Sequence, residues 1–294
     1  MNVFLQAIVD AASVGGIYAL MALGIGLIFG IVRLVNFAHG EFVMIGGYAV
    51  LVLAGVPTPL VVAATLLVVV VLALGVERTA FRPLRGAAMP TLLIGSFAVS
   101  YFIQHVVMMS YGGNTVGVDF LPGLSKSIDL GGVDVPALQL VTIAATVLLL
   151  ALLVVGLKYT RFGIEMRAAA EDIRMARLLG VQTGVVIALA FAISGLLAAV
   201  VALVYVAQIG VLTPRMGVQP ALIGFVATVI GGMGSLFGAV VGGFLIGIIA
   251  VVLQIVLPLE LRGFRDAFLF AALFLILLVR PQGLIVVRWS RERV

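Results

Sequence analysis

Arg33, Asn36, His39 and Glu41 fall within nine residues, Arg33-Leu-Val-Asn-Phe-Ala-His-Gly-Glu41, between two apolar stretches. Their side chains can donate, accept or carry charge, and Phe37 and Gly40 stand among them. Two placements are open. As a loop at a membrane surface the segment is solvated and does no chemistry. As a break within the membrane it exposes backbone N–H and C=O groups that can hold a polar solute. Ionisable groups at that depth are costly and mark function. Glu41 in the first turn of a new helix would also suit the positive end of the helix dipole.

A second group lies at 161–180, Arg-Phe-Gly-Ile-Glu-Met-Arg-Ala-Ala-Ala-Glu-Asp-Ile-Arg-Met-Ala-Arg-Leu-Leu-Gly. The segment favours helix and reaches a natural stop at Gly180, a residue suited to the left-handed position after a helix. Met166, Ala169, Ala170, Ile173, Ala176 and Leu179 recur at helical spacing as one stripe. Arg167, Glu171 and Arg174 stand on another face, spaced for ion pairs. A helix lying on lipid is one reading. The alanine-rich face is small for that, and the charges are of both signs, so a groove in a soluble partner fits the segment better.

A third group is Gly231-Gly232-Met-Gly234-Ser235-Leu-Phe-Gly238, continued by Gly242, Gly243 and Gly247. Four-residue glycine spacing suits close helix packing. The density at 231–235 also predicts an interruption, whose backbone could line a pathway. At Arg280-Pro-Gln-Gly-Leu284 a helix stop accounts for the residues. Gln104, His105 and Gln254 sit in apolar surroundings, where an interhelical hydrogen bond is the expected role. Glu260, Arg262, Arg265 and Asp266 are expected to pair locally.

Other chemistries find no residues. The chain has no cysteine and two histidines, which leaves no disulfide, thiolate nucleophile or histidine-rich metal site. It lacks the phosphate-binding loop G-x-x-x-x-G-K-[ST], the G-x-S-x-G elbow and H-E-x-x-H. The chain is thus expected to be non-catalytic, with no metal or cofactor of its own.

The elements that position these residues follow from composition. Of 294 residues, 64% are hydrophobic and 10% charged, and mean hydropathy is +1.34. Soluble domains average about 25% charged residues, so the chain belongs in a lipid bilayer and nucleic acid is not an expected partner. Apolar stretches of spanning length lie near 11–32, 42–56, 59–76, 90–109, 138–157 and 184–208. A glycine-split region covers 220–257, and a last stretch covers 266–280. The expected fold is all-α and polytopic, with about eight transmembrane helices, some broken or re-entrant. It forms one transmembrane domain over 1–294, with polar loops near 110–137 and 158–182.

Twelve of the 17 Lys and Arg fall in three segments: Arg78, Arg82, Arg85; Lys158, Arg161, Arg167, Arg174, Arg177; and Arg280, Arg288, Arg291, Arg293. Alternating crossings put all three on one side, the cytoplasm by the positive-inside rule. The N-terminus is then outside, the C-terminus inside, and loop 110–137 external.

These motifs resemble the smaller, first membrane permease of bacterial ABC importers for branched-chain amino acids. The matching strings run in order from end to end: Gly16-Ile-Tyr-Ala-Leu-Met-Ala-Leu-Gly24, Asn36-Phe-Ala-His-Gly-Glu41, Arg167-Ala-Ala-Ala-Glu-Asp172 with Ala176-Arg-Leu-Leu-Gly180, Gly231-Gly-Met-Gly-Ser235 and Arg280-Pro-Gln-Gly-Leu284. The resemblance implies an inner-membrane subunit that pairs with a second homologous permease. Two P-loop ATPase subunits would bind ATP and Mg, and an external substrate-binding protein would deliver solute. Glu165, Arg167, Glu171, Asp172, Arg174, Arg177 and Gly180 would form the coupling helix seated in an ATPase cleft. Asn36, Phe37, His39, Gly40 and Glu41, with Gly231, Gly232, Gly234 and Ser235, would line the translocation pathway. Urea and short-amide importers have closely related motifs. A self-contained channel or ion-coupled carrier is the alternative from another class.

Overall fold

The computed structural model describes residues 2–129 and 134–285. Arg288, Arg291 and Arg293 of the basic tail lie outside the described residues. The long helix α1 (Asn2–Val32) runs through the middle of a helical bundle. Then come α2 (His39–Val52), α3 (Thr58–Val76), α4 (Met89–Tyr111) and α5 (Ala137–Tyr159). Two short helices, α6 (Arg161–Glu171) and α7 (Ile173–Leu178), precede α8 (Thr183–Ile209). The chain closes with α9 (Val218–Gly231), α10 (Leu236–Val256) and α11 (Arg265–Val279). Two small antiparallel pairs accompany the helices. β1 (Val116–Gly117) pairs with β4 (Val211–Leu212), and β2 (Ser127–Asp129) with β3 (Asp134–Pro136).

Among the described residues, six helices are long and apolar enough to cross a membrane. The stretch expected as a crossing near 42–56 is instead the 14-residue α2. The glycine-split region resolves into one full-length helix, α10, and one of 14 residues, α9. Fourteen residues reach about 21 Å, short of a hydrocarbon core of about 30 Å. The expectation of broken elements therefore holds at both places; the last expected crossing, near 266–280, is the 15-residue α11.

Packing places the breaks. The N-termini of α2 and α9 meet backbone to backbone. A Cβ on Gly40 would collide with the carbonyl of Gly217, and one on Gly217 with the carbonyl of Gly40. From this junction α2 runs toward the end that carries β1 and β4, since Gly47 packs against Leu212. Helix α9 runs the opposite way, to the end where α1 stops. The junction is deep. The imidazole of His39 lies against Gly24, eight residues or about 12 Å before the end of α1. It also reaches Ser194, eleven residues or about 16 Å into α8.

Close approach of α1 and α10 completes the core. Gly243 and Gly247 of α10 lie on the backbone of α1 at Ala19 and Gly15. This is the packing role expected of the glycine series.

Candidate functional site

After Val32 the chain leaves helix with Arg33 in a left-handed conformation (φ +58°). It turns back into the bundle and restarts as α2. Asn36, His39 and Glu41 are all essentially buried, at 0, 0 and 1% exposure. The solvated-loop reading is therefore set aside for these three. The Asn36 carboxamide oxygen accepts from the Ala38 N–H (3.1 Å), an Asx turn that opens α2. His39 Nδ1 lies 3.0 Å from Ser194 Oγ. Glu41 Oε1 accepts from Ser100 Oγ (2.8 Å) and Gln104 Nε2 (2.7 Å) of α4. Gln104 thus makes the interhelical bond expected of it, while Ser100 and Ser194 carried no signal at the sequence level. His105 departs from that expectation: it bonds the Tyr101 carbonyl of its own helix (2.8 Å) and packs on the Tyr101 ring. Phe37 stacks on Phe97 of α4 with ring centroids 4.3 Å apart and tilts against Phe225 of α9 at 5.4 Å.

The glycine turn is not beside this cluster. Gly231 and Gly232 end α9, and the length of that helix separates them from Gly40. Gly231 packs on the carbonyl of Gly238, and Ser235 Oγ caps α10 by accepting from the Gly238 N–H (2.9 Å). The Arg280–Leu284 motif does more than stop α11. It folds back so that the Leu284 N–H donates to the Ile230 carbonyl (2.7 Å) and the Ile285 N–H to the Gly231 carbonyl (3.1 Å). These are carbonyls that a helix end otherwise leaves unpaired. Elsewhere Arg265 pairs with Asp266 (3.3 Å) and reaches Gln254 (3.4 Å).

The basic segment 161–180 is two helices rather than one. Thr160 caps α6 by accepting from the Gly163 N–H (3.1 Å). The chain then kinks at Asp172, whose Oδ1 caps α7 by accepting from the Arg174 and Met175 N–H groups (2.8 and 2.9 Å). Gly180 (φ +91°) ends α7 as expected, with the Gly180 N–H donating to Arg177 O (3.1 Å) and the Val181 N–H to Ala176 O (3.0 Å). The kink falls between Arg174 and the pair Arg167 and Glu171, and these three form no ion pair among the described residues.

The small-residue stripe also faces inward. Met166, Ala169 and Ala176 are buried against the bundle, so they are not free to fill a partner's groove. Leu179, expected on that stripe, is 78% exposed, and its neighbour Leu178 is 81% exposed. Arg167, Glu171, Asp172, Arg174 and Arg177 share the outer surface with them, and Glu165 is half-buried.

Two side-chain contacts join this helix pair to the rest of the bundle. Arg33 Nη2 reaches the Ala170 carbonyl of α6 (3.5 Å), directly at the break after α1. Arg33 also borders Gly234. Arg177 Nε reaches Thr183 Oγ1 (3.3 Å) at the start of α8.

The two backbone N–H bonds hold the Asp172 carboxyl below the usual carboxylate range. A lowered folded-state pKa stabilises the cap fully above the unfolded value, about 3.9. That contribution is lost as pH falls through the lowered value. Asp172→Ala is expected to speed amide exchange at Arg174 and Met175 at neutral pH. Asp172→Asn, also a good cap, should keep most of the protection. Equal exchange in all three proteins would remove the cap from this account.

Full-length apolar helices, two half-length helices that meet at their N-termini, and a buried polar cluster between them describe a polytopic membrane protein of the transport-permease class. The sequence comparisons make the family specific. The family model for the permease component of branched-chain amino acid transport systems matches residues 7–279, and the chain belongs to that family. It is similar to the high-affinity branched-chain amino acid transport system permease protein BraD of Pseudomonas aeruginosa, with 35% identity covering 96% of this chain and 95% of the relative. The permease protein LivH of Escherichia coli K12 is 35% identical over the same shares. A probable branched-chain amino acid transport permease protein LivH of Methanocaldococcus jannaschii is 26% identical, covering 92% of this chain and 89% of the relative. No solved structure matches the chain.

Proposed function

We propose that the chain is the non-catalytic permease subunit of an ABC importer that carries branched-chain or other hydrophobic amino acids into the cytoplasm. Family membership over nearly the whole chain and the names of its relatives support the substrate class. The observation that carries the mechanism is the contact between α6 and the α1–α2 break through Arg33 and the Ala170 carbonyl. A push or pull on α6 and α7 reaches, through Arg33, the segment that sets Asn36, His39 and Glu41. In this reading the exposed face of Arg167, Glu171, Asp172, Arg174, Arg177, Leu178 and Leu179 docks on a P-loop ATPase. Closure of an ATPase pair, which binds ATP and Mg, moves the helix pair. The Asn36–Glu41 segment then passes from an outward-facing to an inward-facing state.

A second homologous permease completes the pathway, and an external binding protein loads it. In this reading α6, α7 and the end of α11 lie on the cytoplasmic side of a bacterial inner membrane, which the positive-inside rule applied to the three basic segments supports. The N-terminus is then outside and the C-terminus inside. The Gly231–Ser235 turn closes the cytoplasmic end, where it packs against residues 283–285.

Affinity purification of the tagged chain from native membranes in mild detergent, followed by mass spectrometry, tests the assembly. Two P-loop ATPases and a second permease are the expected partners. Recovery of the chain alone, still passing solute without ATP, would overturn the importer reading in favour of a channel or carrier.

A further inference from the structure

We infer that Glu41, Ser100 and Gln104 form an ammonium-binding station at the α2–α4 interface, which receives the α-amino group of the amino acid in transit. The inference rests on the proposed import function and adds to it the group that the chain itself recognises.

Helix α4 is held to the bundle along a narrow line. Leu92, Ser96, Ile103 and Val107 are its buried residues, while Ile94, Tyr101, Phe102 and Met109 are exposed. Within that line Ser96, Ser100 and Gln104 repeat every four residues and form a polar stripe on one helix face. Two of the three bond Glu41. Small or apolar residues suffice to pack one membrane helix on another. A buried carboxyl is a costly substitute for them.

The two oxygens of Glu41 differ. Oε1 has its two donors from α4. Oε2 is buried and has no hydrogen-bond partner among the described residues. Neither protonation state repairs this. An ionised Oε2 lacks a donor, and a protonated one lacks an acceptor. The arrangement of donors on Oε1 keeps that atom an acceptor and leaves Oε2 to take the next donor. In apolar surroundings the strongest complement is a cationic N–H group. Among the described residues no set of three or more His, Asp or Glu gathers here. A lone carboxylate oxygen therefore suits an ammonium better than a divalent cation, which takes several oxygen ligands.

The neighbours fit the rest of such a solute. Phe37 and Phe97, four and three residues before Glu41 and Ser100, stack on each other, and Phe225 packs on Phe37. This puts an aromatic cluster close in the chain to both Glu41 and its α4 donors. Because α4 is joined so narrowly, its displacement from α2 uncovers Glu41 without unpacking the α1–α8–α10 core.

The test uses the purified complete transporter. A hydrophobic carbodiimide is applied, and modification of Glu41 is read by peptide mass spectrometry. Three probes are compared: leucine, 3-methylbutylamine (ammonium without carboxylate) and 4-methyl-2-oxopentanoate (carboxylate without ammonium). Leucine and the amine are expected to lower Glu41 modification roughly tenfold, the scale of a hydrogen bond to a charged group. The oxo acid is expected to leave it unchanged. Equal protection by all three probes, or by the oxo acid alone, would overturn the proposal. Failure of the reagent to reach Glu41 would also overturn it, because a station on the pathway must open.

Glu41→Gln provides a second reading in proteoliposomes with the loaded binding protein. Leucine uptake is expected to fall roughly tenfold while stimulated ATP hydrolysis persists. Unchanged uptake would count against the station. Wild-type leucine uptake separates the two claims. Amine protection without uptake would sink the substrate reading and keep the station, and uptake without amine protection would do the reverse.

Discussion

Gly217→Val is expected to leave almost no folded protein in the membrane. The side chain would start inside the carbonyl group of Gly40, and the obstacle is backbone on both sides, so no rotamer change relieves it. Relief requires the starts of α2 and α9 to separate, which pulls His39 off Gly24 and Ser194 and Glu41 off α4. Overpacking of this kind costs about 1–3 kcal/mol even when the surroundings can yield. A typical fold has only about 5–15 kcal/mol in total. Gly217→Ala is expected to be the milder case, lowering the unfolding midpoint in detergent by roughly 2–12 °C. Gly75→Ala is the control: it sits in α3 with no atom within 4 Å of the added carbon. Alanine there favours helix by about 1 kcal/mol over glycine. Fluorescence-detected size exclusion and thermal unfolding read all three. A Gly217→Val protein as abundant and stable as the control would mean that the two helix starts do not meet.

Leu178→Gln with Leu179→Gln is expected to separate ATP hydrolysis from transport while leaving the fold intact. Both leucines are more than three-quarters exposed and contribute little to the core. Glutamine removes apolar surface from the outside of the molecule and keeps good helix propensity in α7. A change of this sort at an unpartnered surface stays within about 0.5 kcal/mol. At a docking face it removes the apolar contact through which an ATPase holds the helix pair. Coupling free energies between sites are typically about 1–3 kcal/mol, so uptake should fall roughly 5- to 150-fold. Insertion and thermal stability should stay at wild-type values. Uptake measured in proteoliposomes beside ATPase co-purification checks this. Wild-type uptake would return the two leucines to ordinary surface and move the docking face to the charged residues alone.

Much of this molecule was legible in its residues because the bilayer imposes a simple rule. Long apolar runs must form helices there, since no water satisfies their backbone groups. Composition and run length therefore determined the all-α polytopic class. The glycines at 231–235 determined an interruption, and Gly180 the end of a helix. The ordered motifs determined the family, which the comparisons bear out. The Arg33–Glu41 segment was marked as a site by residue type alone, but its depth was not. A loop on the surface and a break inside the membrane have the same local sequence, and only packing against Gly24, Ser194 and α4 separates them. Tertiary structure likewise decided that α2 and α9 are half-length helices, because the Gly40–Gly217 contact joins residues 177 positions apart. Helical periodicity showed that residues 161–180 have two faces. It could not say that the alanine face is covered by the protein's own bundle, nor that Asp172 would cap a second helix and turn Leu179 outward. The physical reason is common to these cases. Local sequence sets which backbone states are cheap, whereas burial and partner choice depend on residues that meet only once the chain is folded.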